Sequence, residues 1–259
     1  MSKEYLLTPR QWLRFFYHKW IVSRIEWTER VMAVVASHGP VTVISNRFRE
    51  KAIAFFGDSI TFGYDDTWRH HRLPMPWVEV VNQALRPKYT YNGGVISAHL
   101  LDTEGDKPYS VLRHYKEWDD RLDIVGVMIG INDAYRNAEG QTYPLEKFSI
   151  ALRQLLRGLK TKYPATKGKQ VFILIYPDTD LIADWGRWKQ TMTDAADELG
   201  VKICDLNKAF PVKPADDIGY VYWQRRNDKK YAGKHSAHPT QEGAYKIGEY
   251  VAKWMEGMI

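Results

Sequence analysis

The sequence predicts an α/β fold, a three-layer α/β/α sandwich around a five-stranded parallel sheet of flavodoxin-like arrangement, with an N-terminal helical extension. Five short apolar segments alternate with segments of helical periodicity, which is typical of a parallel sheet covered on both faces. The segments are apolar without alternation, as strands buried on both faces are. The pattern begins only after residue 50, so we expect an extension over residues 1–50 and one domain over residues 51–259.

Each element follows from its apolar pattern and its stop signals. The predicted strands are residues 52–57, 90–95, 123–129, 170–176 and 201–206. The predicted helices are residues 77–85, 111–118, 145–162 and 185–199, followed by a last helix that Thr240 opens. Residues 61–76 and 210–237 show no periodicity and are predicted as long loops. These two loops are expected to wall any pocket at the sheet edge.

The extension reads as an aromatic, basic, amphipathic helix. Thr8 and Pro9 form a helix start, Gly39 and Pro40 mark its end, and residues 1–30 carry a net charge of +3. Such a helix packs on its own domain, packs on a second copy in a homo-oligomer, or lies on a membrane surface. Packing is favoured, because the acidic side chains within it oppose anionic lipid.

Composition excludes several classes of protein. The net charge of +6 is scattered among acids, which does not favour nucleic-acid binding. A single cysteine, Cys204, excludes an intrachain disulfide and a cysteine zinc cluster. Neither a signal peptide nor a run of about 18 apolar residues is seen, so the expected location is the cytoplasm, with peripheral membrane association through the extension as the alternative.

Four short motifs fall at the ends of predicted elements. They are Phe56-Gly57-Asp58-Ser59, Asn92-x-Gly94, Gly130-x-Asn132-Asp133 and His238-Pro239. Carboxyl ends of parallel strands meet at one edge of the sheet, where open α/β folds bind ligands. A serine hydroxyl there is a nucleophile only if a base lies within hydrogen-bond reach and donors await the oxyanion. The other motifs supply residues of both kinds.

Together these motifs resemble the SGNH (GDSL-type) hydrolase family of esterases and lipases, from about Ala52 to the C-terminus. The resemblance implies that Ser59 is the nucleophile and His238 the general base. It also implies an oxyanion hole made of the Ser59 and Gly94 N–H groups and the Asn132 side-chain amide. No cofactor is implied. Independently, a glycine permits close backbone approach and an amide is a donor that does not titrate.

One position departs from the family pattern. The family carries an aspartate three residues before the histidine, and this chain has His235 there. Three interpretations stay open: a Ser-His dyad oriented by a backbone carbonyl, a substitute acid such as Asp228 or Asp217, or an impaired site. His235 with His238, like the pair at residues 70 and 71, resembles part of a metal site. No third ligand has matching spacing, so no metal is predicted.

The function expected from these residues is hydrolysis of a carboxylic ester. Within the family, a small O-acyl group on a carbohydrate is the first expectation for the substrate, and a lipid ester is the alternative if the extension meets a membrane. Two other classes remain open. An acyltransferase would use the same serine, and a carbohydrate- or ligand-binding protein would carry a degenerate site.

Overall fold

The structure, a computed structural model, describes residues 28–29, 32–33, 36–66, 72–101, 109–138, 140, 144–179, 181–210, 222–225 and 235–258. The chain divides into two compact units, residues 1–41 and residues 42–259. Residues 42–50, which the sequence assigns to the extension, belong to the larger unit. There the Ile44 N–H donates to the carbonyl of Ala84, and Phe48 is fully buried.

The larger unit is built on a parallel sheet of five strands. They are β1 (Ala52–Gly57), β2 (Tyr89–Gly94), β3 (Ile124–Met128), β4 (Gln170–Ile175) and β5 (Lys202–Asp205). Their order across the sheet is β2-β1-β3-β4-β5, which is the flavodoxin-like order. The chain reverses its direction of winding between β1 and β3, and ligands bind outside the carboxyl ends of the strands at such a switch point. The predicted fold is therefore confirmed.

Helices cover both faces of this sheet. They are α1 (Ser59–Phe62), α2 (Trp77–Leu85), α3 (Val111–His114), α4 (Ile131–Ala138), α5 (Leu145–Lys162), α6 (Trp185–Glu198) and α7 (Gln241–Glu256). Neighbouring strand residues point to opposite faces. Phe55 packs edge-on against Trp77 of α2, with ring centroids 4.8 Å apart. Phe56 stacks on Trp118, at 3.5 Å between centroids, on the other face. Trp77 and Trp118 therefore lie on opposite faces of the sheet, one in each outer layer.

Two local predictions need correction. The sequence predicts no regular structure over residues 210–237, yet β6 (Trp223–Arg225) and β7 (His235–Pro239) pair there as an antiparallel two-stranded sheet. Strands this short contain too few residues to show a periodicity. The predicted helix over residues 111–118 is α3 followed by a 3₁₀ turn at Tyr115–Glu117.

The predicted amphipathic helix of the extension lies mostly outside the described residues. Its packing, a homo-oligomer and a membrane contact therefore stay predictions. In the parts of the chain that the structure describes, no helix is both long enough and apolar enough to cross a membrane.

Candidate active site

The turn after β1 places Ser59 at the first position of a short helix. Asp58 caps that helix, and its Oδ1 accepts a hydrogen bond of 2.8 Å from the Ile60 N–H. Gly63 ends the helix in the left-handed region, with a φ of 85°. The first N–H groups of a helix have no intrahelical acceptor, so the Ser59 N–H is available to an oxyanion. The local sequence thus presents both the hydroxyl and the N–H of Ser59 at the sheet edge.

Asp58 is a buried carboxyl group beside the nucleophile. Its side chain is fully buried, and burial raises its pKa to about 7. The nearby charge of Asp133 raises the pKa further, whereas the hydrogen bond from Ile60 opposes the shift. The group therefore titrates near neutral pH, and it serves as a helix cap in either state through Oδ1.

The predicted nucleophile and base meet. His238 Nε2 lies 2.9 Å from the Ser59 Oγ, although the two residues are 179 positions apart in the chain. His238 lies on β7. Thr240, the first residue after that strand, caps α7 by accepting a hydrogen bond of 3.1 Å from the Gly243 N–H. A neutral imidazole with its proton on Nδ1 can accept the serine proton at Nε2.

The other nitrogen of the imidazole contacts a carboxylate that the sequence analysis does not select. Asp66 Oδ2 lies 2.9 Å from His238 Nδ1. Of the three predicted orienting residues, Asp217 and Asp228 lie outside the described residues. The backbone of His235 lies in β7 opposite Arg225, and its side chain is outside the description. No sequence motif marks Asp66, which is one of two adjacent aspartates in the loop after Ser59.

The loop that carries Asp66 is hydrogen-bonded to the histidine strand. Gln224, which is buried, accepts from the Asp66 N–H at 2.8 Å and donates to the carbonyls of Tyr64 at 3.2 Å and of Pro239 at 2.7 Å. The Tyr64 ring lies 4.7 Å from the His238 ring, between centroids. Sequence reasoning could not find Gln224, since its partners are about 160 residues before it and 15 after it.

Gly94, predicted as an oxyanion donor, lies against the nucleophile helix. A Cβ on Gly94 would be 2.1 Å from the backbone nitrogen of Phe62, so only glycine fits there. Its N–H donates to Asn92 Oδ1 at 3.0 Å, and Asn92 Nδ2 donates to the carbonyl of Thr61 at 2.8 Å. In this arrangement the Gly94 N–H is engaged, and its role toward an oxyanion stays a prediction.

Asn132 and Asp133 open α4 and hold the loop that follows β2. Asn132 Nδ2 donates to the carbonyl of Ala98 at 2.8 Å. The Asp133 carboxylate is fully buried and accepts from the N–H groups of Leu100 and Leu101 at 2.9 to 3.1 Å. An amide nitrogen carries two hydrogens, so Asn132 keeps a second donor while the first fixes its orientation.

An open cleft of about 180 Å³ lies beside the carboxyl ends of β1 and β2, and neither Ser59 nor His238 lines it. Its lining residues include Gly57, Gly93, Val95, Tyr109, His114 and Trp118. Gly57 lies two residues before Ser59, and Gly93 and Val95 flank Gly94. The stack of Phe56 on Trp118 builds one aromatic wall.

The described part of the chain contains no cluster of three or more His, Cys, Asp or Glu side chains able to hold a metal. Residues 70 and 71 fall outside it, and so do Asp217 and Asp228. Cys204 is buried, and burial raises the pKa of its thiol.

Comparison with known proteins agrees with this architecture. A model described as the GDSL-like lipase/acylhydrolase family matches residues 55–246. This match bears out the resemblance drawn from the four motifs. A search of proteins with curated functions found no match.

Similar solved structures include three of stated origin. An aryl esterase from M. smegmatis is 17% identical over 81% of this chain and 100% of its own, with a TM-score of 0.58. A variant of an acetyl-xylooligosaccharide esterase from Geobacillus is 18% identical over 80% and 95%, with a TM-score of 0.53. A G-D-S-L family protein from Desulfitobacterium hafniense is 20% identical over 79% and 99%, with a TM-score of 0.52. At these identities the likeness concerns the fold.

Proposed function

The chain belongs to the GDSL-like lipase/acylhydrolase family, and on that premise we propose that it is a serine esterase that hydrolyses a carboxylic ester through Ser59. The observation that carries the proposal is the 2.9 Å contact between the Ser59 hydroxyl and His238 Nε2. A serine without such a base would be a poor nucleophile at neutral pH.

The reaction proceeds in two acyl-transfer steps. His238 takes the proton of Ser59 as the Oγ attacks the ester carbonyl, and the protonated imidazole then delivers that proton to the leaving alcohol. A water molecule, which His238 deprotonates in turn, then attacks the acyl-enzyme, and the imidazolium returns the proton to Ser59 Oγ as the carboxylic acid leaves. The oxyanion of each tetrahedral intermediate accepts from the Ser59 N–H and the free amide hydrogen of Asn132. The Gly94 N–H joins them if Asn92 releases it.

The proposed substrate is a small acyl ester of a carbohydrate. The cleft beside β2 supports this, because aromatic walls at Trp118 and Tyr109 suit the apolar faces of sugar rings, while His114 offers a hydrogen-bonding group. The solved acetyl-xylooligosaccharide esterase of the same fold agrees with this class. Carbohydrates that carry a small acyl group should therefore be better substrates than esters of long-chain fatty acids.

Ester hydrolysis with defined variants tests the proposal. We expect the parent to hydrolyse 4-nitrophenyl acetate and the Ser59→Ala variant to lose about 10⁶-fold in kcat, as other enzymes do without their serine nucleophile. Ser149→Ala on α5, which lies outside the four site motifs, is the control and should match the parent. A parent without ester hydrolysis, or a Ser59→Ala variant that keeps it, would overturn the proposal.

Product analysis separates the classes left open by the sequence. A hydrolase releases free acid from acetylated xylose whether or not an alcohol is added, whereas an acyltransferase forms a new ester with the added alcohol. The hydrolysis rates of a series of 4-nitrophenyl esters, from acetate to palmitate, show which acyl chain length the enzyme prefers. Preference for palmitate would contradict a small acyl group.

A further inference from the structure

The imidazole of His238 lies between two oxygens that come from one short segment of the chain. Ser59 Oγ is 2.9 Å from Nε2, and Asp66 Oδ2 is 2.9 Å from Nδ1. The nucleophile and the carboxylate are thus seven residues apart, on the loop that leaves β1. In the family pattern the acid instead precedes the histidine, at the position that His235 occupies here.

We propose that Asp66 is the positioning carboxylate of the site and that Gln224 holds it in register with His238. The inference rests on the proposed esterase function and names residues that the family motifs do not. A carboxylate on Nδ1–H fixes the tautomer that leaves Nε2 free to accept the serine proton, and it stabilises the imidazolium that forms. A neutral histidine at position 235 could not supply that charge.

The backbone fixes the distance between nucleophile and acid. The N–H of Tyr64 donates to the carbonyl of Ser59 at 2.9 Å, and the N–H of Gly63 donates to the same carbonyl at 3.0 Å. Gly63 has a φ of 85°, and a Cβ there would meet Pro76 at 2.7 Å. The turn from Ser59 toward Asp66 is therefore closed by local hydrogen bonds and by packing that only glycine permits.

Ser236 orients the carboxylate from the histidine strand. Its Oγ lies 3.0 Å from Asp66 Oδ2 and 3.2 Å from His238 Nδ1, and it accepts from the His238 N–H at 3.1 Å. The hydroxyl is buried, while the Asp66 side chain is 33% exposed. Oδ2 thus lies within hydrogen-bond distance of two donors, the Ser236 hydroxyl and the imidazole Nδ1–H.

Gln224 joins the acid loop to the histidine strand with both ends of its amide. Oε1 accepts from the Asp66 N–H, and Nε2 donates to the carbonyls of Tyr64 and Pro239, the residue after His238. The side chain is 5% exposed, so loss of the amide would remove three hydrogen bonds made from a buried position. Because β6 pairs with β7, Gln224 and His238 lie in the same two-stranded sheet.

The first test replaces the acid. Asp66→Asn should lower kcat for 4-nitrophenyl acetate by up to about 10⁴-fold with KM near that of the parent, because the amide selects the wrong tautomer without changing the shape of the site. Asp66→Glu should recover part of that loss. The control is Asp184→Asn, which changes a carboxyl that caps no N–H of α6. Thermal unfolding of Asp66→Asn should match the parent, since the side chain is part-exposed.

Proton NMR gives a readout that a structural role would not move. A proton held between Nδ1 and a carboxylate resonates far downfield, and that signal should be present in the parent and absent in Asp66→Asn.

The Gln224→Met variant, whose side chain has a similar volume, tests the role of Gln224. It should keep the Asp66 carboxylate and lower kcat by roughly 10²-fold, because that carboxylate is misplaced.

The outcomes separate this inference from the proposed function. If Ser59→Ala abolishes hydrolysis while Asp66→Asn retains the kcat of the Asp184→Asn control, the esterase stands and the role of Asp66 is overturned. If Gln224→Met keeps the parent kcat, the role of Gln224 is overturned. If hydrolysis survives Ser59→Ala, the esterase proposal itself fails.

Discussion

The nucleophile side and the histidine side of the site are built in opposite ways. Ser59 and Asp58 lie within one turn, and β2 packs on that turn through backbone contacts. His238 contacts Asp66 of the loop after β1 and Ser236 of its own strand, and Gln224 of β6 donates to the carbonyl of the next residue, Pro239. The first side is specified by short-range sequence and steric fit, and the second by long-range hydrogen bonds. Substitutions should therefore damage the two sides differently.

The carboxylates of the two sides show the same contrast. Asp58 is fully buried and its pKa is raised to about 7, because burial disfavours its charge. Asp66 is 33% exposed and faces an imidazole. A buried carboxyl serves the backbone in the neutral or charged state, whereas a carboxylate beside an imidazole acts through its charge.

After Ser59→Ala, the largest effect on the nucleophile side is expected from Asn132→Ala. Loss of one oxyanion donor typically costs about 10²–10³-fold in kcat, with KM little changed. The lost hydrogen bond to Ala98 should cost only about 1 kcal/mol of unfolding free energy. Steady-state kinetics and thermal unfolding measure the two effects separately. Asn137→Ala, on the same helix, is the control, and equal kcat in the two variants would contradict the oxyanion role.

A steric substitution tests whether close packing shapes this side. Gly94→Ala places a Cβ 2.1 Å from the Phe62 nitrogen, so α1 must shift. We expect a loss of about 1–3 kcal/mol in unfolding free energy, as overpacking usually gives, together with lower kcat. Gly186→Ala has no atom within 4 Å of its Cβ and should stay within about 0.5 kcal/mol of the parent. A Gly94→Ala variant as stable as that control would show that the packing is looser than described.

The smallest effect concerns the pH dependence of stability. The folded state holds the Asp58 proton up to about pH 7, whereas the unfolded chain releases it near 3.8. The stabilisation from this group is full below pH 3.8 and is lost as pH rises through 7. Urea unfolding at pH 5 and at pH 8 measures the free energy of unfolding. We expect that free energy to decrease more between the two pH values in the parent than in Asp58→Asn. Burial also raises the pKa of Asp133 and the two carboxyls interact, so the difference between the two proteins measures Asp58 together with its effect on Asp133. An equal decrease in the free energy of unfolding in the two proteins would contradict the raised pKa of Asp58.

The contrast also explains what the sequence could predict. The strands and the larger helices follow from apolar periodicity, and Ser59, Gly94, Asn132 and His238 follow from motifs at element ends. The sequence predicts that Gly94 permits a close approach to an oxyanion, which stays a prediction, whereas the close neighbour in the structure is the backbone of Phe62. Steric reasons of this kind are invisible until the fold is known.

The histidine side could be predicted only in part. His238 is marked by a motif and by the helix start at Thr240, yet its partner Asp66 is 172 residues away and has no motif. Gln224 and the short strands β6 and β7 lie where the sequence shows no periodicity. Their role depends on pairing across the fold, which no local pattern encodes.

Covalent labelling tests the central claim, that Ser59 is activated by His238, most directly. An activated serine hydroxyl attacks the phosphorus of a fluorophosphonate and displaces fluoride, while the histidine takes the serine proton, and peptide mapping by mass spectrometry locates the adduct. We expect one phosphonylated residue, Ser59, in the parent and in Ser149→Ala, and a greatly slowed reaction in His238→Ala. An unlabelled parent, an adduct on another serine, or undiminished labelling of His238→Ala would contradict it.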